Sequence, residues 1–310
     1  MSGMANREDE GAARTPAMSD EPLPLDPLVG AYYERAPEES RLEIGAFRLE
    51  EARTRELIGR HAPPPPARVL DVGGAAGAYA FWLAEQGYDV RLIDAAPRLV
   101  AIARSRSEQA SHPLASCAVG DARALNAPDN SADLVLLLGP LYHLVDAQDR
   151  RRALLEAVRV LRASGLLIAA GISRWASTLD GLSRNVLTDP VFARIVERDL
   201  VDGQHRNPTD RLEYFTTAYF HKPDELRDEV DAVGLTVEAL YGVEGPGWML
   251  PDFMQRWNDD QGRDDLLRVA RVCEREPSMI GCSAHLLVVA RKLPPLRYAQ
   301  HPAQRGERWP

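Results

Sequence analysis

An α/β fold on a doubly wound parallel sheet is what this sequence predicts, and three observations predict it. The stretch Arg68-Val-Leu-Asp-Val-Gly-Gly-Ala-Ala-Gly77 runs apolar, ends in an acid and breaks into glycines just before a helical pattern begins. Short apolar runs then alternate with segments of helical period along most of the chain. The run Ala132-Asp-Leu-Val-Leu-Leu-Leu138 is almost continuously apolar, as a strand covered on both faces must be.

Residues 1–27 mix Ala, Pro, Asp, Glu and Arg with no apolar period and no signal-peptide core, and read as a disordered leader. A helical cap is expected over 28–66. It opens in Asp26-Pro-Leu-Val-Gly-Ala-Tyr-Tyr33 and continues through a helix at 39–60 with Ala46, Leu49, Arg53 and Leu57 on one face. Pro63 to Pro66 stop that helix and force an extended entry into a strand at 67–72.

The core segment, 67–171, then reads as regular alternation. A helix carries Ala80, Leu83, Ala84 and Gly87; Asp89-Val-Arg-Leu-Ile-Asp94 is a strand ending in an acid; a helix spans 97–109; and a strand at 114–119 leads into Gly120-Asp121-Ala122. After the central strand stops at Gly139-Pro140, Leu154, Leu155, Val158 and Leu161 mark another helix, and Gly165 to Gly171 a fifth strand. Residues 172–222 are polar, aromatic-bearing helical pieces too long for a plain connection, and are expected to form a lid over the substrate. The core resumes over 223–293. An acid-rich helix opens at Pro223, a sixth strand spans Leu235 to Val243, about two helices follow, and His285 to Arg291 is a seventh strand. The tail at 294–310 is expected to be flexible.

Composition narrows the function. With 310 residues, 45% hydrophobic and 27% charged, the chain has material for one large α/β unit, and nothing in it suggests a membrane span. A net charge of −9 argues against a cation-dominated nucleic-acid groove. Cys117, Cys273 and Cys282 are odd in number and widely spaced, which favours reduced thiols in a cytoplasmic protein. No His, Asp or Glu constellation has metal-ligand spacing, so no metal is expected; His112, His205 and His285 read as surface or core residues, and Arg150, Arg151 and Arg152 as a solvated helix face.

The glycines permit close backbone approach to a ligand, and the helix after them offers free N–H groups and a positive dipole end, so a polar cofactor is expected there. Asp71-x-Gly-x-x-x-Gly77, Asp94 closing the second strand, and Gly120-Asp121-Ala122 after the third form an ordered set of acids. On these motifs, over roughly 65–172, the sequence resembles the class I S-adenosylmethionine-dependent methyltransferases, most closely their small-molecule and antibiotic-tailoring branch. Ala75 departs from the family's usual loop, where a glycine stands.

The resemblance implies a Rossmann-like sheet of seven strands with the last antiparallel. It implies S-adenosyl-L-methionine as cofactor, S-adenosyl-L-homocysteine as its product, and a small molecule as methyl acceptor. Gly73, Gly74, Ala75 and Gly77 would lie along the methionine part, with Gly139 beside it. Asp71 would set the loop and meet the ammonium directly or through water. Asp94 would accept from the ribose hydroxyls, in accord with an acid at a strand's carboxyl end, and Asp121 with the Ala122 N–H would meet adenine.

Tyr142 and His143 fall by the same analogy at the mouth where the methyl emerges. His143 is the base candidate, since imidazole titrates near neutrality, and the alternative is a histidine that fixes the following helix. Tyr32 and Tyr33 would cover the sulfonium by π-face attraction, bind the carboxylate, or simply pack. Tyr219, His221 and Trp248 are expected to line the acceptor pocket, because their segments return near the carboxyl ends of the sheet, and Tyr32 and Tyr142 are expected to line it with them.

Three other readings stand beside methyl transfer. A nicotinamide-dependent oxidoreductase would carry G-x-G-x-x-G, where this chain has Ala75 at the third position. A nucleic-acid methyltransferase would resemble Asn/Asp-Pro-Pro-aromatic after the fourth strand, where this chain has Gly139-Pro-Leu-Tyr142. A catalytically silent cofactor-binding module would show an eroded loop. The acceptor and the oligomeric state are not legible.

Overall fold

The structure is a computed structural model and describes residues 26–294; the leader expected before residue 26 and all but the first residue of the expected tail lie outside the described residues. Helix α1 (Pro27–Arg35) opens it, with Asp26 capping the Leu28 N–H. Residues 39–60 do not form one helix. A 3₁₀ segment, Glu38–Glu43, is followed by α2 (Phe47–His61), and Gly45 between them sits at φ 54°. The face expected of this helix is kept, with Leu49, Arg53 and Leu57 fully buried.

The alternating region forms β1 (Arg68–Val72), α3 (Ala78–Glu85), β2 (Asp89–Asp94), α4 (Pro97–Gln109), β3 (Ser116–Val119), β4 (Ala132–Leu137), α5 (Pro140–His143), α6 (Ala147–Val160) and β5 (Leu161–Ser173). Residues beyond β5 form α7 (Ala176–Ser183), α8 (Pro190–Asp202), β6 (Gln204–His205) and β7 (Ala218–His221). The chain then makes α9 (Pro223–Asp231), β8 (Leu235–Gly242), α10 (Phe253–Asn258), α11 (Asp260–Cys273) and β9 (His285–Lys292).

The core sheet runs β3-β2-β1-β4-β5-β9-β8. β1 to β5 pair in parallel, and β9 lies antiparallel between β5 and β8, giving the expected seven strands with the last reversed. Alternation along the strands separates two cores. Val135 and Leu137 of β4 face Leu154 of α6 and Leu226 of α9, while Leu134 and Leu136 face Leu57 of α2, Leu83 of α3 and Val100 of α4. Each of these side chains is buried completely or nearly so, and each contributes about 1.5–3 kcal/mol of transfer free energy. Strand order reverses between β1 and β4, and a doubly wound sheet opens a crevice at that switch point, at the strands' carboxyl ends.

The segment expected as a helical lid holds two strands as well as two helices. β5 outlasts its neighbour, because β4 stops before Gly139-Pro140 and its last pair is Leu137 with Ala169. That leaves a free strand edge at Ile172 and Ser173, and β7 pairs there in parallel through Phe220 and His221, with β6 antiparallel on β7. No described helix is long and apolar enough to cross a membrane.

Candidate active site

The loop after β1 is built around Asp71. Its side chain is 1% exposed, and its Oδ2 has no hydrogen-bond partner. Burial, with the charge of Asp94 added, pushes the carboxyl up to about 7. Gly73 and Gly77 take φ 75° and 89°, and a Cβ on Gly73 would stand 2.5 Å from Pro140 Cδ, so β1's loop and the start of α5 touch backbone to ring. Ala75 adopts φ 48° without being glycine, and its N–H donates to Asp94 Oδ2 at 2.8 Å. The second Asp94 oxygen accepts from the Ala96 N–H at 2.7 Å. Burial nonetheless holds the Asp94 carboxyl above its usual range, outweighing those two donors.

A cavity of about 540 Å³ opens over this loop at the switch point. It collects residues the sequence reading placed at the cofactor: Tyr33, Asp71, Gly73, Gly74, Ala75, Asp94, Asp121, Ala122 and Gly139, together with Tyr142 and His143. Gly77 does not line it; a Cβ there would meet the Phe81 ring at 2.7 Å, so this glycine serves the turn into α3. Asp121 accepts from the Arg123 N–H and guanidinium, and Arg123 also reaches Asp149.

His143 is held on both ring nitrogens. Nδ1 lies 3.4 Å from the Thr217 carbonyl, which can only accept, so Nδ1 carries the hydrogen. Nε2 is then the acceptor for the Tyr33 hydroxyl at 2.6 Å. Burial lowers the imidazole to about 4, with the Thr217 carbonyl opposing it, and raises the Tyr33 phenol well above its ordinary value.

The other expected acceptor residues lie off the cavity. Tyr32 packs edge-on against Tyr33 and Phe215. Tyr219 has the Arg150 guanidinium 3.7 Å from its ring centroid and shares a hydrogen bond with Glu225. His221 is fully buried, with Nε2 3.4 Å from Glu229 Oε2. Trp248 Nε1 donates to the Cys282 carbonyl at 2.9 Å. Arg150 departs from a solvated face: it is 3% exposed and donates to Glu229 and to the carbonyls of Leu144 and Val145, while Arg151 and Arg152 are exposed.

One group escaped the sequence. Glu50 of α2, Glu244 after β8 and His285 opening β9 bring ligand-type atoms within 4.8 Å of one another, and Glu50 and His285 line the cavity. Arg41 donates both Nη atoms to Glu50, at 2.7 and 2.9 Å, and His285 is bonded to Glu244 through Nδ1. Burial opposes charge on His285, but the Glu50 and Glu244 carboxylates outweigh it and hold the imidazole above its ordinary value. Its donors are thus already paired as an ion network. No local motif signals it, because the three residues come from opposite ends of the chain.

Residues 70–169 match the family of the methyltransferase domain. With the sheet order, that defines the class: the chain carries a class I S-adenosylmethionine-dependent methyltransferase domain, and S-adenosylmethionine is its cofactor. An uncharacterized methyltransferase of Mycobacterium tuberculosis is 35% identical over 112 residues, an alignment covering 36% of this chain and 42% of that relative. The ubiquinone biosynthesis O-methyltransferase of Chromobacterium violaceum is 28% identical over 74% of this chain and 86% of its own length. Among solved structures, an S-adenosylmethionine-dependent methyltransferase from Methanosarcina mazei shares the fold with TM-score 0.52 and 17% identity, over 76% of this chain and 97% of that one.

The residues present fit the cofactor. Asp71 lines the cavity and keeps its Oδ2 buried without a protein partner, a negative group to which a cationic ammonium is complementary. Gly74 leaves open the space beside that oxygen, which a Cβ would enter at 2.6 Å.

Proposed function

We propose that this protein transfers a methyl group from S-adenosylmethionine to an oxygen, nitrogen or carbon atom of a small molecule, a secondary metabolite, in the cytoplasm. The observation that carries the reading is one cavity that joins Asp71, Asp94 and Asp121 to Tyr33, Tyr142 and His143. In this reading Asp94 takes the ribose hydroxyls, and Asp121 with the Ala122 N–H takes adenine. The Gly73 to Gly77 loop, Gly139 and Asp71 hold the methionine end. The cofactor supplies an electrophilic methyl group, and the protein's task is to align the acceptor and keep water out.

A small acceptor is supported by the cavity's size and roof. Its volume falls within the range of small-ligand sites, roughly 300–1,000 Å³. Residues from 28–66, such as Tyr33 and Arg41, and from 172–222, Gln204 and Arg206, both line it, and the two segments are tied by the Thr216 hydroxyl donating to the Leu28 carbonyl and Arg35 to that of Asp210. Acids outnumber cations along the lining, which disfavours a nucleic-acid backbone. The relative named as an O-methyltransferase supports a hydroxyl acceptor.

Calorimetry with S-adenosylhomocysteine and with NADH tests the cofactor, and labelled S-adenosylmethionine mixed with a cell extract tests the transfer. Micromolar or tighter binding of the adenosyl ligand and a label on a small product are expected. Binding of NADH alone would overturn the reading.

A further inference from the structure

Resting on the methyl-transfer reading, we infer that Tyr33, and not His143, is the group that touches the acceptor, and that the two form a proton relay serving a hydroxyl acceptor. His143 has no ring nitrogen left for a substrate, because Nδ1 faces the Thr217 carbonyl and Nε2 the Tyr33 hydroxyl. Tyr142 and Phe215 lie against the imidazole ring. Tyr33 lines the cavity, and its oxygen gives its only hydrogen to Nε2, so the remaining lone pairs are free to accept.

The pair is neutral and set in one direction. Around Tyr33 stand Tyr142, Glu38, Arg41 and Asp94, and around His143 the Thr217 carbonyl and Asp26. Burial dominates both groups, keeping the phenol protonated and the imidazole unprotonated at neutral pH. Tyr33 therefore passes a proton on and does not ionise alone.

When bound, the cofactor supplies its methyl group, the oxygen–carbon bond forming as the carbon–sulfur bond breaks with its electron pair left on sulfur. As the acceptor oxygen is alkylated its O–H becomes strongly acidic. That proton moves to Tyr33 Oη, the phenolic proton moves to His143 Nε2, and the imidazolium keeps its Nδ1–H on Thr217. Positive charge in the cavity is the same before and after, which is how a site that disfavours imidazolium accommodates one. An acceptor that arrives already deprotonated has no proton to give up, so the relay favours acceptors that arrive as neutral hydroxyls.

The tautomer is read without turnover, by nitrogen-15 NMR of histidine-labelled protein with and without S-adenosylhomocysteine. His143 is expected as the Nδ1–H form from pH 5.5 to 8, and Tyr33→Phe should move Nε2 toward a bare imidazole nitrogen. An Nε2–H tautomer, or an Nε2 signal indifferent to Tyr33→Phe, overturns the relay. With a hydroxyl acceptor from the extract screen, Tyr33→Phe and His143→Gln should each lower kcat about 10²–10⁴-fold. The double variant should be no worse than either single one, KM should hold within about threefold, and the deficit should shrink as rising pH ionises the acceptor. Wild-type kcat in Tyr33→Phe, with S-adenosylhomocysteine still bound, overturns the relay alone. Failure to bind S-adenosylhomocysteine overturns the methyl-transfer reading and the relay's role with it.

Discussion

Asp71 makes cofactor binding a proton-linked event. Its carboxyl, held at about 7 against an ordinary 3.8, is neutral in most molecules below neutrality. At pH 5.5 roughly 97% is protonated and at pH 7 about half. A cationic ammonium needs the carboxylate, so binding at pH 5.5 should release about one proton, and affinity should rise on the order of tenfold between pH 5.5 and 7. Calorimetry with S-adenosylhomocysteine in buffers of different ionisation enthalpy reads the proton directly. Asp71→Asn should sharply reduce the release and flatten most of the pH dependence, with any residual slope belonging to Asp94, whose carboxyl is also held above its usual range, and to the ligand's own amine. Linkage also sets a stability trend. A folded pKa above the unfolded one favours the fold below pH 3.8, and that contribution is lost as pH rises through 7. Asp71→Asn should therefore melt higher than wild type at pH 8 and alike at pH 3.5. Wild-type binding with no proton release and no pH dependence would refute the reasoning.

Two further substitutions separate the site from its supports. Asp94→Ala should weaken S-adenosylhomocysteine binding by about 1–3 kcal/mol with the circular dichroism spectrum unchanged, and unaltered affinity would remove Asp94 from the ribose role. Arg150→Ala should cost about 2–3 kcal/mol in urea unfolding, because it removes the guanidinium partner of the half-buried Glu229 and strands two carbonyls, yet leave S-adenosylhomocysteine affinity unchanged. A loss below 1 kcal/mol would contradict the anchoring role of the buried guanidinium.

The core was legible because its signals are local. Apolar-rich runs mark β1, β2 and β4, and Asp71, Asp94, Asp121, Gly73, Gly74 and Gly139 stand within a residue or two of the strand ends they serve. The region from 172 to 222 was less so. Its strand β7 exists because β5 offers an unpaired edge at Ile172 and Ser173, a condition set more than 40 residues upstream of Phe220. Tyr219 and His221 face away from the cavity for the same reason, since pairing with β5 fixes which way β7 points its side chains. Arg150 carries no mark distinguishing it from Arg151 and Arg152, and only helical phase against Glu229 of α9 buries it.

What the sequence determined by itself is the strand-and-helix alternation, the glycine loop with Asp71, Asp94 and Asp121 in order, and the cofactor class these imply. Each depends on neighbours in the chain, where backbone conformation, periodicity and strand-end position are set. Only the tertiary structure decided the contacts between distant segments. It placed the Tyr33 hydroxyl on His143 across 110 residues and set Thr217 behind the ring. It gathered Arg41, Glu50, Glu244 and His285 into one network, and it left one Asp71 oxygen buried without a partner. The free energies of those groups come from burial and from partners brought by packing, and neither is a property of local sequence.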